Sequence, residues 1–126
     1  MKIVILGSTG SIGTSTLEVV EKYSQRHEVL GLAAGKNVEL LAGQIEKFKP
    51  SLVCLAEEEA AGRLRALIDK SHDVEIVSGL DGMKLVATHP DADVVVAAIS
   101  GAAGLLPTIS AVRAGKTVAL PIKNHW

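Results

Sequence analysis

Two kinds of segment alternate along the chain. The first is a short apolar run, typical of a buried strand in a parallel sheet. Such runs lie at residues 2–6, 28–33, 51–55, 74–77, 92–99 and 117–120. The second is a longer segment whose apolar spacing predicts a helix. These segments lie at residues 11–24, 38–48, 57–70, 80–87 and 105–114.

Regular alternation of strand and helix predicts parallel βαβ units. We therefore expect an α/β fold: a Rossmann-like, doubly wound, mostly parallel sheet of about six strands with helices on both faces. Residues 1–120 are expected to form one domain, because no linker, repeat or low-complexity segment divides them.

The apolar positions also predict which side of each helix is buried. For the first helix this side consists of Ile12, Thr16, Val19, Val20 and Tyr23. For the third helix it consists of Leu64, Leu67 and Ile68. Gly115 is expected to end the last helix in the left-handed conformation that glycine adopts easily.

Composition narrows the class of protein. The apolar share is 48% and the aromatic share 2%, which suits an aliphatic core between strands and helices. The net charge of −1 gives no indication of nucleic-acid or membrane-surface binding. No apolar run reaches the roughly 18 residues of a membrane span. The single cysteine, Cys54, is expected in a buried strand, and with no signal peptide evident we expect a cytoplasmic protein.

The stretch GSTGSIG, residues 7–13, joins the first strand to the first helix. Gly7 and Gly10 would allow a tight turn with positive φ and close approach of the backbone to a ligand. Gly13 would let the helix pack closely on the strand. The helix N-terminus offers free N–H groups to a pyrophosphate, and Thr9 and Ser11 add hydroxyl donors.

This spacing, G-x-x-G-x-x-G, is a relative of the dinucleotide-binding fingerprint. The alternative is a tight strand-to-helix turn without a ligand. In an alternating domain the spacing favours a dinucleotide. The candidate cofactor-binding loop consists of Gly7, Ser8, Thr9, Gly10, Ser11, Ile12 and Gly13.

The end of the second strand indicates which dinucleotide binds. NAD-binding domains usually carry a carboxylate there, which accepts hydrogen bonds from the ribose hydroxyls. Here the sequence continues through Gly35, Lys36 and Asn37, with no acidic residue and one lysine that could neutralise a 2′-phosphate. This favours NADPH over NADH, although Lys36 could also be an ordinary exposed loop residue.

Small residues follow the fifth strand, where ligands of open α/β sheets bind. Ala98 and Ile99 could leave room for a nicotinamide ring, or could simply be a well-packed strand end. The four histidines show no spacing typical of metal ligands, so no metal site is expected from them.

Four stretches together resemble the 1-deoxy-D-xylulose 5-phosphate reductoisomerase family. They are GSTGSIG, TSTLEVV, AAGKNVELLAGQI and AAISGAAGLLPTISAVRAGKTVAL, and the resemblance covers residues 1–120. It implies an N-terminal NADPH-binding domain, with Thr9, Gly10, Ser11 and Ile12 in the loop. It also implies that the turn at residues 35–37 holds the adenosine phosphate.

The resemblance further implies an enzyme of the non-mevalonate isoprenoid pathway. Members rearrange and reduce 1-deoxy-D-xylulose 5-phosphate to 2-C-methyl-D-erythritol 4-phosphate with NADPH and Mg or Mn, usually as homodimers. The family's metal ligands come later in its chain than residue 126. A fragment that binds NADPH but is inactive alone is therefore expected.

The last six residues, PIKNHW, depart from the family, which usually continues Ala-Asn-Lys-Glu-Ser-Leu. Reading a coding sequence for that stretch one base later gives PIKNHW, so we expect a frame-shifted tail at residues 121–126. Lys123 coincides with the family's substrate-facing lysine and is a weak candidate for substrate binding. A gene sequence with no lost base would exclude this hypothesis.

Two other functions are compatible with the residues. One is a stand-alone NADP-binding module or redox sensor without catalysis. The other is the nucleotide-binding half of another NADP-dependent reductase, which would need a catalytic cysteine or a basic substrate motif. Neither of those features is present in the sequence.

Overall fold

The computed structural model describes residues 1–121, and six strands alternate with five helices along them. The strands are β1 (Lys2–Leu6), β2 (Glu28–Ala34), β3 (Leu52–Leu55), β4 (Glu75–Ser78), β5 (Val94–Ala97) and β6 (Thr117–Ala119). The helices are α1 (Ser11–Lys22), α2 (Val38–Phe48), α3 (Glu58–Leu67), α4 (Gly79–Ala87) and α5 (Leu105–Arg113). A short 3-10 turn, Ala102–Gly104, precedes α5.

All six strands form one parallel sheet in the order β4-β3-β2-β1-β5-β6. In its register, Ile5 of β1 lies between Leu32 of β2 and Val96 of β5. The chain winds outwards from β1 to β4, then returns to the other side of β1 with β5. This confirms the predicted Rossmann-like, doubly wound α/β fold, and its switch point lies between β1 and β5.

The sheet buries a separate apolar core on each face. Because alternate strand residues point to opposite faces, Ile3 and Ile5 pack with α1, α2 and α3, whereas Val4 and Leu6 pack with α4 and α5. Cys54 belongs to the second core and is fully buried, as predicted. Helices therefore cover both faces of the sheet, which holds the carboxyl ends of β1, β2 and β5 in fixed positions.

Two predicted helix faces are wrong in part. Val19 and Tyr23 of α1 are 57% and 54% exposed, and Leu67 of α3 is 54% exposed. The residues of α1 that are buried are Gly13, Leu17 and Val20. The prediction omitted Leu17, and it did not count Gly13, which packs against the loop at Gly7 and Ser8. With Gly13, Leu17 and Val20 facing inwards, Val19 and Tyr23 face solvent.

Two helix ends carry residues that are typical of such positions. Gly115 has φ +76 after α5, which confirms its predicted left-handed conformation. Asn37 precedes α2, and its side-chain oxygen accepts a hydrogen bond from Leu40 N–H at 3.1 Å. Within residues 1–121, none of the helices has the length and apolar character needed to cross a membrane.

Candidate dinucleotide-binding site

The loop GSTGSIG lies where three strands end side by side. The backbone N–H groups of Gly7 and Ser8 both donate to Ala33 C=O of β2, at 2.7 and 3.0 Å. Ala98 N–H, just after β5, donates to Leu6 C=O of β1 at 2.8 Å. The loop is thus fixed at the carboxyl edge of the sheet, beside the switch point, where open α/β sheets bind ligands.

Gly7 occupies a position that other residues could not fill without strain. Its φ is +89, and a Cβ there would lie 2.8 Å from both the carbonyl carbon and the oxygen of Ala98. A side chain would therefore collide with backbone on β5 as well as adopt an unfavourable φ. The sequence prediction of a tight glycine turn is correct here.

Gly13 allows the helix to approach the loop. A Cβ on Gly13 would lie only 2.0 Å from Gly7 C=O oxygen and 2.8 Å from Ser8 Cα. Both are backbone atoms, so no side-chain movement could relieve the contact. The predicted role of Gly13 in close packing is confirmed.

Gly10 does not need the positive φ that the sequence analysis expected. Its φ is −77 and its ψ 173, because it is the residue that precedes α1 rather than a turn centre. A Cβ there would lie 3.7 Å from Gly7 C=O oxygen, an ordinary contact. The backbone here is exposed, so the lack of a side chain leaves space above the helix N-terminus.

The N-terminus of α1 presents free donors at this edge. No side chain caps it, and Gly10 C=O accepts from Thr14 N–H at 2.9 Å. Within residues 1–121, no acceptor is found for the N–H groups of Ser11 and Ile12. Such groups, with the positive end of the helix dipole, suit an anion such as a phosphate.

A cavity of about 270 Å³ opens beside the loop. It is lined by Gly7, Thr9, Gly10, Ala34, Gly35, Ala56, Met83, Ala98, Ile99, Ser100 and Ala103. Six of the predicted site residues therefore share one cavity: Gly7, Thr9, Gly10, Gly35, Ala98 and Ile99. Its wall is largely apolar and consists mainly of small residues, as expected of a place where a flat ring or a sugar lies against backbone.

The other predicted residues surround this cavity without lining it. Ser8 is fully buried, and its Oγ has no hydrogen-bond partner within residues 1–121. Ser11 is exposed and Ile12 partly buried on the first turn of α1. Lys36 and Asn37 are exposed where α2 begins. Lys123 lies outside the described residues.

Sequence reasoning missed several residues of the site. Ala56 directly follows β3, so the rule that ligands bind at the carboxyl ends of strands could have indicated it. Met83 comes from the middle of α4 and Ala103 from the turn before α5, and no pattern in the sequence points to either. Gln44 of α2, which contacts the loop from below at Ser8, was also missed.

Another cavity, of about 330 Å³, lies elsewhere, between α1 and α2. It is a shallow groove whose lining on α1 begins at Thr14. None of residues 7–13 lines it. The smaller cavity at the strand ends has the free N–H donors and the fixed backbone that a phosphate ligand needs. We therefore place the site there.

Cys54 is not a nucleophile of this site. Burial raises the pKa of its thiol to about 12, and its Sγ contacts Gly79 C=O at 3.6 Å. The thiol is therefore protonated at neutral pH. Within the part of the chain that the structure describes, no three His, Cys, Asp or Glu side chains are grouped so that they could hold a metal ion. Residues 1–121 therefore do not fit a magnesium or manganese site.

Comparison with known proteins agrees with this geometry. The family model described as 1-deoxy-D-xylulose 5-phosphate reductoisomerase matches residues 3–125. Reductoisomerases from Glaesserella parasuis and Actinobacillus pleuropneumoniae are 49% and 51% identical to the chain over 124 residues. These matches cover 98% of the chain and 31% of each relative, so the chain spans about a third of the length of the curated relatives it matches.

Solved structures give the same result. A reductoisomerase from Zymomonas mobilis in complex with NADPH matches with a TM-score of 0.87 and 36% identity, over 94% of this chain and 31% of that one. A DOX-P reductoisomerase in complex with NADPH, fosmidomycin and magnesium matches with a TM-score of 0.86 and 33% identity, over 95% of this chain and 29% of that one. By sequence and by fold, the chain belongs to the 1-deoxy-D-xylulose 5-phosphate reductoisomerase family.

Proposed function

We propose that this chain is the NADPH-binding portion of a 1-deoxy-D-xylulose 5-phosphate reductoisomerase. The complete reaction would rearrange and reduce 1-deoxy-D-xylulose 5-phosphate to 2-C-methyl-D-erythritol 4-phosphate in the non-mevalonate isoprenoid pathway. The observation that carries the proposal is the loop at residues 7–13, whose free helix N-terminus adjoins the cavity at the switch point. The chain alone would bind the cofactor without catalysing the reaction.

The pyrophosphate would lie over Gly10, against the N–H groups of Ser11 and Ile12. These groups have no acceptor within residues 1–121, and the helix dipole favours negative charge there. The exposed hydroxyl of Ser11 and the partly exposed hydroxyl of Thr9 would add donors. Ser8 would contribute by supporting the loop, because its side chain is buried away from the cavity.

The cofactor would extend in two directions from the loop. The cavity of about 270 Å³ is smaller than the roughly 300–1,000 Å³ of typical sites for small molecules. It would hold the nicotinamide end against Ala98 and Ile99, next to Gly7, and its lining at Gly35 would continue towards the adenosine end. The adenosine end would lie along the open edge, towards the turn at residues 35–37.

The turn at residues 35–37 supports NADPH over NADH. It lies at the end of β2 and carries no carboxylate that would repel a 2′-phosphate or bind the ribose hydroxyls. Lys36 is exposed there and makes no ion pair with a described residue. Asn37 is already engaged in capping α2, so its side chain is oriented and only its remaining N–H donors are available.

The remaining parts of the family's activity rest on the same proposal. Magnesium or manganese would be held by residues beyond the described part, which offers no suitable group of ligands. Homodimer formation, a cytoplasmic location, a frame-shifted tail at residues 121–126 and substrate contact by Lys123 stay predictions. A stand-alone NADP-binding module is the weaker alternative, because the relatives that match nearly the whole chain are reductoisomerases.

Cofactor binding to the purified 126-residue chain tests the proposal. NADPH and NADH would be titrated by calorimetry against the unmodified chain, Lys36→Ala and Lys70→Ala. Lys70 is a matched control, because it is an exposed lysine in the loop between α3 and β4, at the amino edge of the sheet. We expect NADPH to bind more tightly than NADH. Lys36→Ala should weaken NADPH binding about 3- to 10-fold, as for an exposed charge-assisted contact, and leave NADH unchanged.

Each outcome has a distinct meaning. If folded chain binds neither dinucleotide, the proposed function is wrong for this chain. If NADPH binds and Lys70→Ala weakens it as much as Lys36→Ala, the effect is general electrostatics and the assignment of the 2′-phosphate to Lys36 fails.

A further inference from the structure

One buried side chain joins α2 to the glycine loop. Gln44, in the second turn of α2, is only 7% exposed, and its Nε2 donates to Ser8 C=O at 2.8 Å. Ser8 itself is fully buried. The bond therefore connects two separate elements at a place that water does not reach, directly beneath the residues proposed to hold the pyrophosphate.

The chemistry of this contact fixes the orientation of the amide. Ser8 C=O can only accept, so the amide nitrogen must be the Gln44 atom that faces it. Gln44 Oε1 and Ser8 Oγ are both buried and have no partner within residues 1–121. Losing the amide would therefore remove the hydrogen bond that Ser8 C=O receives from Gln44 in this buried place.

The same helix carries the other half of the proposed cofactor site. Asn37 caps α2 and directly follows Lys36. Gln44 is seven residues further along, about 10.5 Å and nearly two full turns, so both lie on about the same side of the helix. One rigid helix thus joins the loop at Ser8 to the turn at residues 35–37.

We infer that Gln44 is a positioning residue that sets the spacing between the pyrophosphate loop and the turn that takes the 2′-phosphate. This inference rests on the proposed function, because the spacing matters only if one dinucleotide contacts both. Gln44 itself does not touch the cofactor. It acts through Ser8 C=O, whose position determines where the backbone at Thr9 and Gly10 lies.

Gln44→Met removes the donor and keeps nearly the same side-chain length. We expect NADP⁺ to bind the 126-residue variant about tenfold more weakly, the factor typical of one lost hydrogen bond at about 1.4 kcal/mol per tenfold. Backbone amide NMR shifts of the ligand-free variant should change at residues 8–10. Ile45→Val is the matched control: it is a buried neighbour on α2 that loses one methylene and no hydrogen bond, so its affinity should equal that of the unmodified chain.

Gln44→Glu tests whether a hydrogen-bond donor is needed at this position, because a carboxyl group can donate only when it is protonated. At pH 8 the introduced carboxylate can only accept, so it repels Ser8 C=O. At pH 5.5 the protonated form can donate, because burial raises the pKa of such a carboxyl. The ratio of its affinity for NADP⁺ to that of the unmodified chain should therefore recover as the pH falls. The ratio cancels the effects of pH that the variant and the unmodified chain share. These include effects on the ligand and on the charged side chains around the groove beside Gln44, which are Glu18, Glu21, Glu39 and Lys47.

The results separate the two proposals. If the unmodified chain does not bind NADP⁺, the proposed function fails, whatever the variants do. If it binds, and Gln44→Met binds equally well or its amide shifts at residues 8–10 do not change, the inference is wrong. Should Gln44→Met not fold, the pH dependence of Gln44→Glu decides: a constant ratio overturns the inference and a recovering ratio supports it.

Discussion

Substituting Gly13 by alanine should destabilise the protein, although alanine is the better helix former. The change adds one Cβ at a point 2.0 Å from Gly7 C=O oxygen. Ordinary contact begins near 3.4 Å, so the loop and α1 would have to separate by about 1.4 Å. Because Gly7 and Ser8 are bonded to Ala33 C=O, the loop cannot shift without losing hydrogen bonds at the sheet edge.

The magnitude follows from two opposing terms. Alanine in place of glycine inside a helix contributes about 1 kcal/mol of stability. Overpacking against backbone typically costs about 1–3 kcal/mol, and each backbone hydrogen bond lost costs about 1 kcal/mol more. We therefore expect Gly13→Ala to lower the free energy of unfolding by about 2 kcal/mol. Thermal unfolding should then occur about 6–10 °C lower for a domain of this size.

Gly43→Ala is the matched control. Gly43 also lies inside a helix, α2, but nothing lies within 4 Å of the position that its Cβ would take. This variant should gain about 0.5–1 kcal/mol from propensity alone. Urea denaturation followed by circular dichroism would measure both variants. If Gly13→Ala is stabilised as much as Gly43→Ala, the close contact between α1 and the loop does not exist in solution.

Three further results are expected. Gly115→Ala should lose about 1–2 kcal/mol of stability in urea, because φ +76 is costly for alanine, and an unchanged midpoint would contradict the left-handed end of α5. The thiol of Cys54, with a pKa of about 12 from burial, should react with a disulfide reagent at pH 8 only after unfolding, and rapid labelling of the native chain would contradict this. Hydrogen bonds from Ser78 and Arg65, and the charge of Arg65, lower the pKa of Glu58. Its contribution to stability is therefore present above the ordinary pKa of 4.5 and lost as pH falls through the lowered pKa. The urea midpoints of Glu58→Gln and the unmodified chain should therefore differ at pH 7 and converge in acid, below that lowered pKa.

The sequence predicted the strands and the loop because both depend on local rules. Apolar runs marked all six strands, and the spacing of Gly7 and Gly13 marked a turn that only glycine can fill. Gly10 lines the cavity, but the positive φ expected for it was wrong, because the residue that precedes α1 has an extended backbone. Local rules could identify the residue type there without giving its conformation.

What the sequence did not predict depends on how elements pack together. The inward face of α1 includes Gly13, a residue that apolar spacing does not mark, and Val19 and Tyr23 were wrongly expected inside. Met83 reaches the cavity because α4 crosses the sheet beneath it. Gln44 is a polar residue in a buried position, and its partner is a backbone carbonyl 36 residues away. No short-range pattern in the amino-acid sequence indicates such a partner.

The parallel pairing of β1 with β5 determines when the proposed cofactor site can first exist during synthesis. Paired residues of these strands lie 91 positions apart in the sequence, such as Ile3 of β1 and Val94 of β5. Strands β1 to β4 and their helices can associate while the rest of the chain is still being made. The wall at Ala98 and Ile99 comes only after that long loop has closed, which is entropically costly and slow. The proposed cofactor site is therefore incomplete until β5 has paired with β1, and a cofactor would stabilise only chains that have completed this step.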